Sequence, residues 1–474
     1  MMHQSNLENT EIAIIKSDSP QEAILEGIRK LGGISKFISR DDQVFLKINL
    51  RLPHGFPVNS NFDVAKILIE LCKEAGAKKI YIGSFPNKVI DLKTLSDMLD
   101  LNNYFESIGA ELTFLDDQDK FPLDNITINN NQFKFPKVIL NSDKIISINQ
   151  VSVHPLFKCN LSLINSYSMV PNRYQTIQKI VRAGKDYLLL DQYKKDLISN
   201  IMDVFSIKKP NLVINDLFYF LEGAGPYIYS DSEINKTNLI ILGEDAVAVD
   251  LITLRILNLD PFKSELINES QERGIGISDL NKIKIIGESL DNSVLNVKFC
   301  GYKLEEINPQ NTTIKSGKFC AGCYNQAYHL LNLMKTHMTK DLKYIRKQSF
   351  LIGDKPQEPE YPENVILFGD CAINSTKERD FRRIIIQKQG NIIAEAKSKL
   401  KRDKKQISKG KLKEKPNKQI LELFGCPPDI IYCVKSLIKY YSKSEVPNLN
   451  FYNQLSDTFL TQNKNTTKED DLLL

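Results

Sequence analysis

The sequence predicts an α/β protein with a largely parallel sheet and flanking helices, followed by a second, smaller α/β module. Through the first 290 residues, short apolar runs alternate with amphipathic segments, which is typical of βαβ units. Glycine, proline and capping residues separate these segments, as expected where strands and helices end. The alternation breaks around residues 300–318 and resumes in a stretch that contains cysteine motifs. These observations indicate two units.

The elements of the first unit follow from caps, stops and periodicity. Ser19 is placed to cap a helix that has Pro20 at its first position, and Gly32-Gly33 ends that helix. Further helices are predicted from residue 64 to Gly76, over 94–108 and 197–207, from Asp245 onward, and over 264–273. Strands are predicted over residues 11–16, 44–50, 80–83, 111–115, 144–148, 212–215, 239–242 and 283–287. Alternating polarity over residues 126–135 predicts a small hairpin.

The second unit is shorter and has its own pattern. Its predicted elements are a helix after Cys323, strands over 365–368 and 421–424, and a last helix that begins near residue 430. The predicted domains are residues 1–300 and 318–445, with an exposed basic insertion at 397–415 and a partly disordered tail at 446–474.

Charge and composition narrow the classes of function. The net charge is +5, but residues 397–415 hold ten basic and two acidic residues, so the rest of the chain carries −3. The basic balance therefore describes one segment, and we expect no nucleic-acid-binding face. No run of 18 apolar residues occurs, and the N-terminus lacks the pattern of a signal peptide, so we expect a cytoplasmic protein without a membrane span.

Residues 211–250 predict the floor of a site in the first unit. Asp250 lies in AVAVDLITL, a segment so apolar that an ionised carboxylate there needs a cation, a set of donors or a proton. Glu222 stands beside Gly223 and Gly225, where a bare backbone lets a ligand approach closely. The alternatives are that Asp250 makes a structural bond to a neighbouring loop and that Glu222 is a turn residue.

Two further residues complete the predicted catalytic group. Lys47 ends a strand, where it can bind an anion, and His154 can act as a general base or a metal ligand. We therefore predict a catalytic site of Lys47, His154, Glu222 and Asp250, with Gly223 and Gly225 as cofactor-binding positions. A lone histidine before proline is also a common loop residue, so that alternative remains for His154.

Four cysteines in the second unit form the sharpest motif. Cys320 and Cys323 have the CxxC spacing that presents two thiolates to one metal, and Cys371 follows a strand at its carboxyl end. Cys426 precedes a proline pair and a helix, whose N-terminus stabilises a thiolate. Ordinary buried thiols remain the alternative for Cys371 and Cys426. The other cysteines lack motif context and are expected to be packing residues: Cys72, Cys159, Cys300 and Cys433.

This cysteine pattern resembles a known family. The motifs C-x-G-C, G-x-C-A after a strand, and G-C-P-P before a helix are similar to those of the cluster-bearing small subunit of nickel–iron hydrogenases, and complex I shares the last two. The resemblance implies one [4Fe–4S] cluster held by Cys320, Cys323, Cys371 and Cys426. Asn374-Ser375-Thr376 replaces the family's Gly-Gly, and nothing matches a nickel-bearing subunit, so a hydrogenase is not implied. Four thiolates also suit zinc, which remains the alternative.

The first 290 residues resemble the domain-of-unknown-function family 362. The resemblance rests on the order and spacing of five pieces: Lys47-Ile-Asn-Leu50, residues 70–83, Glu222-Gly-Ala-Gly-Pro226, Asp245-Ala-Val-Ala-Val-Asp250 and Gly274-Ile-Gly276. Such domains are often joined to iron–sulfur modules, and their reaction is mostly unassigned. The resemblance therefore implies a fold and a cluster partner but no substrate.

The sequence favours an iron–sulfur redox protein that couples a [4Fe–4S] cluster to the polar site of the first unit, and an oxidoreductase is one function of this class. The expected partner is a redox protein or a small-molecule substrate, and no nucleotide-binding motif occurs. One alternative is a non-redox zinc protein whose first unit binds a small anion or metal. Another is an assembly or scaffold protein with residues 397–415 as a docking arm.

Overall fold

The protein consists of two compact units. The computed structural model describes residues 9–51, 56–85, 91–154, 157–171, 190–223, 232–299, 303–319, 321–382 and 419–441. The first unit takes its described residues from Met1–Ile177 and Lys194–Tyr302, and the second takes most of its described residues from Lys303–Asn453. Each unit has its own sheet.

A mostly parallel sheet forms the centre of the first unit, as the sequence predicts. The described strands of this unit are β1 (Thr10–Lys16), β2 (Gln43–Lys47), β3 (Lys79–Gly83), β4 (Glu111–Leu112), β5 (Leu123–Ile128), β6 (Asn131–Pro136), β7 (Lys144–His154), β8 (Lys158–Asn160), β9 (Leu212–Gly223), β10 (Ser232–Lys236), β11 (Leu239–Gly243) and β12 (Ile283–Gly287). The sheet order is β12-β1-β11-β9-β7-β2-β3-β4, with β10 paired to β9 and β8 paired to β7. Strand β11 runs antiparallel to both neighbours. Strands β5 and β6 form the predicted hairpin.

Helices flank this sheet. The described helices of the first unit are α1 (Pro20–Lys30), α2 (Phe62–Glu74), α3 (Leu92–Leu99), α4 (Leu101–Ser107), α5 (Lys137–Leu140), α6 (Ser162–Ser166), α7 (Leu190–Ile207), α8 (Ala246–Ile256) and α9 (Glu265–Glu272). Ser19 caps α1, since its Oγ accepts the Glu22 N–H at 3.4 Å. Helix α8 is buried on nearly every side, as its apolar sequence predicts.

Several predicted elements of the first unit were wrong in detail; the strand expected over residues 144–148, for example, continues to His154. The helix expected over residues 94–108 is two helices, because Asp100 takes a left-handed conformation with φ +53° between α3 and α4. The strand expected to end at residue 215 continues to Gly223, so Glu222 is a strand residue. A further strand, β10, pairs with that extension.

The second unit contains a smaller sheet that is parallel throughout its described strands. These are β13 (Thr312–Ser316), β14 (Gln348–Ile352), β15 (Asn364–Phe368) and β16 (Gln419–Leu423), in that spatial order. The described helices are α10 (Ala321–His337), α11 (Thr339–Tyr344), α12 (Gly369–Ser375) and α13 (Ile430–Tyr441). Part of the core is a buried cluster of Leu351, Val365, Leu367, Ile373 and Phe381. The architecture places α12 and the approach to α13 at the carboxyl ends of neighbouring strands.

The basic insertion at 397–415 and the tail at 446–474 lie outside the described residues. Within the part of the chain that is described, no helix has the length and apolar character needed to cross a bilayer.

Candidate functional site

Three of the cysteine motifs meet at the carboxyl edge of the second sheet. Phe368, the last residue of β15, is the register partner of Leu423, the last residue of β16. The chain therefore leaves two adjacent strands side by side and enters the loops that carry Cys371 and Cys426. In α/β sheets this edge is where ligands commonly bind.

The loop glycines let these motifs approach one another. Gly369 has φ +86°, and a Cβ built there would lie 3.4 Å from the sulfur of Cys323. Gly425 has φ +130°, and a Cβ there would lie 2.8 Å from the Cα of Pro428. Both backbone conformations favour glycine. The Cys323 sulfur thus lies against Gly369, in the turn that carries Cys371, and the backbone around Gly425 packs too closely for a side chain.

A reciprocal pair of hydrogen bonds joins the two strand-end loops. The Asp370 N–H donates to the Gly425 carbonyl at 3.1 Å, and the Gly425 N–H donates to Asp370 Oδ1 at 2.8 Å. Each of these residues immediately precedes a motif cysteine, Cys371 or Cys426. The pair therefore fixes the spacing of the two cysteine-bearing turns.

The cysteines of this edge differ in exposure. Cys323 and Cys371 are buried, whereas Cys426 is half-buried. Cys320 lies outside the described residues, so its distance to the other three is not defined. In the described part of the chain, no group of three or more His, Cys, Asp or Glu side chains is arranged to hold a metal. The assignment of four metal ligands therefore stays a prediction.

In the first unit, two of the predicted site residues are joined by a buried chain of amides. Lys47 Nζ donates to Asn165 Oδ1 at 2.8 Å, and Asn165 Nδ2 donates to Asn149 Oδ1 at 2.5 Å. Asn149 Nδ2 donates to Asn215 Oδ1 at 3.0 Å, and Asn215 Nδ2 donates to Asp250 Oδ1 at 2.9 Å. Every amide turns its oxygen towards the ammonium and its nitrogen towards the carboxylate. The amide dipoles therefore stabilise both charges.

The geometry of the sheet explains why these residues meet. Asn149 on β7 and Asn215 on β9 are register partners on neighbouring parallel strands, and Lys47 ends the next strand, β2. Asn165 comes from α6, and Asp250 comes from α8. All five side chains are buried, and the hydrogen bonds join three strands to two helices. The network therefore fixes how the helices sit on the sheet.

The partners of the Asp250 carboxylate are hydrogen-bond donors. Its carboxylate accepts the Ser162 N–H and Oγ–H at 3.0 and 2.7 Å, the Leu163 N–H at 3.0 Å and the Asn215 amide. Burial raises the pKa of Asp250 to about 6, although these hydrogen bonds act to lower it. The carboxylate thereby holds the start of α6 against α8, which is the structural bond left open above.

Glu222 is held by partners other than those of Asp250. Its Oε2 accepts the Lys298 N–H at 2.8 Å, and its Oε1 accepts the Asn235 amide at 2.5 Å. Gly223, with φ +78°, donates its N–H to the Lys298 carbonyl at 2.8 Å. Glu222 lies seven positions beyond Asn215 on β9, but β9 has three extra residues against β7 there, so the advance along the sheet is about four residues, or about 13 Å. The structure thus ties Glu222 to the segment around Lys298, while Gly225 lies outside the described residues.

His154 lies at the end of β7 and is half-buried. Its Nδ1 accepts the Phe157 N–H at 3.2 Å, and its ring packs against that of Phe157 with centroids 5.4 Å apart. His154 is five positions beyond Asn149 along the strand, and its described contacts close the β7–β8 turn.

Sequence reasoning missed Asn149, Asn215 and Asp216, which lie in the middle of buried strands. The signal was present, because IISINQVSV and LVINDLF each interrupt an apolar run with polar residues. A buried amide in such a run needs hydrogen-bond partners, and a neighbouring strand with the same interruption can supply them.

Comparison with known protein families finds a match to part of the first unit. Residues 44–255 match the model of the family described as Domain of unknown function (DUF362). That range includes Lys47, His154, Glu222 and Asp250, and it ends before Lys303, where the longer stretch of the second unit begins. No curated protein matches the chain. The predicted resemblance is confirmed for residues 44–255, and the resemblance of the second unit to cluster-binding subunits stays a prediction.

Proposed function

We propose that this protein is an iron–sulfur redox protein in which Cys320, Cys323, Cys371 and Cys426 hold one [4Fe–4S] cluster. The observation that supports this most strongly is the meeting of three cysteine motifs at the carboxyl edge of the second sheet. Gly369 lies against the Cys323 sulfur, and the Cys371 and Cys426 turns are joined through Asp370 and Gly425. A thiolate-bound [4Fe–4S] cluster supplies one-electron transfer.

The residues of this edge fit such a group. Four thiolates are the usual donor set for a [4Fe–4S] cluster. Gly369 and Gly425 let the backbones of these turns pack closely against each other and against the Cys323 sulfur, which keeps the cysteine motifs together. Asp370 sets the spacing of two of the turns before any cluster is bound, which reduces the ordering cost of binding.

The first unit supplies the other half of the proposed function. We assign it the site at which a substrate or partner protein exchanges electrons with the cluster. The buried chain from Lys47 to Asp250 would then shape the polar edge of the sheet, and Glu222 and His154 would hold its outer strand ends. In this arrangement Lys47 and Asp250 are buried and have a structural role at the site.

Anaerobic reconstitution of the full chain with iron and sulfide tests the proposal. We expect a brown protein with about four iron and four sulfide per chain, as the cluster formula requires. Cys371→Ser and Cys426→Ser should each lose most of the iron. A colourless protein that binds one zinc would contradict the redox function and favour the zinc alternative.

Matched variants separate loss of a ligand from loss of folding. Cys433 lies in the same unit, buried in α13, and burial raises the pKa of its thiol. Cys433→Ala should keep the iron, as should deletion of residues 397–415, which hold only three large aliphatic side chains. Equal iron loss in Cys371→Ser and Cys433→Ala would show a general failure of the fold.

A further inference from the structure

Asp216 is a second buried carboxylate in the first unit, and it is bonded quite differently from Asp250. It is fully buried on β9, next to Asn215. Its Oδ1 accepts the Phe218 N–H at 2.8 Å. Among the described residues, no donor lies within hydrogen-bonding distance of its Oδ2, and none of the ion pairs described includes it. A buried carboxylate in this state needs a proton or a cation.

Two more buried oxygens on the same face of the sheet are in the same state. Gln150 on β7 is the register partner of Asp216, and its Nε2 donates to the Asp216 carbonyl at 3.3 Å and to the Tyr219 carbonyl at 2.9 Å. Its Oε1 has no donor among the described residues. The Oγ of Ser152 also has no hydrogen-bond partner among them. Ser152 lies two positions further along β7, on the same face by strand alternation.

An irregularity in the β7–β9 pairing lies at these three residues. Gln150 pairs with Asp216, but Ser152 pairs with Leu221, so β9 contains three extra residues between the two registers. Such a bulge opens the ladder and redirects side chains. Asp216 and Gln150 pair just before this irregularity and Ser152 pairs just after it, and all three are fully buried.

We propose that Asp216, Gln150 and Ser152 bind a monovalent metal cation, Na⁺ or K⁺, at the β7–β9 bulge. Carboxylate, amide carbonyl and hydroxyl oxygens are hard ligands that suit such ions and do not suit soft metals. One carboxylate neutralises one positive charge, whereas a divalent ion would leave an uncompensated buried charge. The bound ion would close the opening in the ladder and satisfy all three oxygens.

Thermal unfolding of the full chain in defined salts tests this site. The protein is exchanged into tetramethylammonium chloride, whose cation is too large for the site, and NaCl or KCl replaces it at constant ionic strength. We expect the Tm to rise with the logarithm of the concentration of the ion that binds, as mass action requires for a ligand of the folded state. The two salts, compared in parallel, identify which ion binds.

Variants tie the effect to these residues. Asp216→Asn removes the charge, and Ser152→Ala removes one ligand with little change in volume. The first should abolish the dependence of Tm on NaCl or KCl, and the second should shift it to higher salt concentration. Ser147→Ala, on the opposite face of β7, should leave the dependence unchanged and is the matched control. If Asp216→Asn fails to fold, the shift in the salt dependence of Tm expected for Ser152→Ala still tests the site.

A different result would overturn the proposal. If the Tm is the same in all three salts, Asp216 is protonated instead. Burial raises the pKa of Asp216 to about 7, so stability from a protonated Asp216 would be lost as the pH rises through 7. Equal salt dependence in the wild type and Asp216→Asn would also contradict the site, because the ion would then bind elsewhere.

Discussion

The carboxyl edges of the two sheets use their side chains in opposite ways. In the first unit, Lys47 and Asp250 are buried and linked through amide side chains. In the second unit, the strand-end loops are joined by the backbone and by the Asp370 carboxylate, next to Cys371 and Cys426. In the first unit, the side-chain hydrogen bonds hold strands and helices together. The second edge uses glycines and one carboxylate to present sulfur.

The comparison teaches that position at a sheet edge does not by itself identify a ligand-binding residue. The two edges differ in how the hydrogen-bonding atoms of each side chain find partners. Asp250 has donors for both oxygens, so it can hold structure without a ligand. The same reasoning distinguishes Asp250 from Asp216. Asp216 follows Asn215, the donor to Asp250, in the sequence, but its own Oδ2 has no donor among the described residues. The predictions that follow test this distinction.

The largest effect is expected from Asp250→Ala. The change leaves the donors of Ser162, Leu163 and Asn215 without their acceptor in a buried site, and it leaves Lys47 without the charge at the other end of the network. We expect a loss of about 3–5 kcal/mol in the free energy of unfolding, measured with urea. Asp119→Ala, at an exposed position, should change it by no more than about 0.5 kcal/mol. A loss below about 1 kcal/mol for Asp250→Ala would contradict a structural role.

The pH dependence of stability sharpens the account of Asp250. Because burial raises its pKa to about 6, the folded protein binds this proton more tightly than the unfolded chain does. That contribution is complete below the unfolded pKa of about 4 and is lost as the pH rises through 6. Each pKa unit corresponds to about 1.4 kcal/mol, so the loss is about 3 kcal/mol.

Asp250→Asn isolates this contribution, because its amide does not titrate. The wild type should lose stability relative to the variant between pH 4 and pH 7 in urea unfolding. A wild-type advantage that grows with pH would show that the donors and Lys47 hold the pKa below its usual range.

The second edge is tested by two changes at Asp370. Asp370→Asn keeps an oxygen that can accept the Gly425 N–H, whereas Asp370→Ala removes one of the two hydrogen bonds between the loops. A bond of this kind contributes about 1 kcal/mol, so the alanine variant should retain less iron after reconstitution and release it faster to a chelator. Equal iron retention in both variants would show that the loops need no such link.

The smallest effect concerns Glu222 and its separation from Asp250. Since the two carboxylates have different partners, the unfolding free energies of Glu222→Gln and Asp250→Asn should add to within about 0.5 kcal/mol in the double variant. A coupling energy above about 1 kcal/mol would place them in one site after all.

Much of the fold could be predicted from the sequence, because it rests on local signals. Alternating apolar runs, the cap at Ser19 and the polar alternation of the hairpin are each visible in short segments. The break at Asp100 could not be seen, since a left-handed aspartate inside an apolar stripe has no strong signature. The extension of β9 was hidden by the Gly223-Ala-Gly225 run, which is typical of a loop.

The candidate site could be predicted only in part. Motif spacing identifies Cys323, Cys371 and Cys426, because each motif is local in sequence. The link between Lys47 and Asp250 depends on three asparagines from different elements, and only the fold brings those together. Partners that lie far apart in the chain are not visible in a single sequence.

Electron paramagnetic resonance of the reconstituted, dithionite-reduced protein tests the central claim most directly. A [4Fe–4S] cluster that accepts one electron should give one paramagnetic signal per chain, present in the Cys433→Ala variant and lost in Cys371→Ser. A diamagnetic protein that cannot be reduced and contains one zinc per chain would contradict the claim that the second edge serves electron transfer.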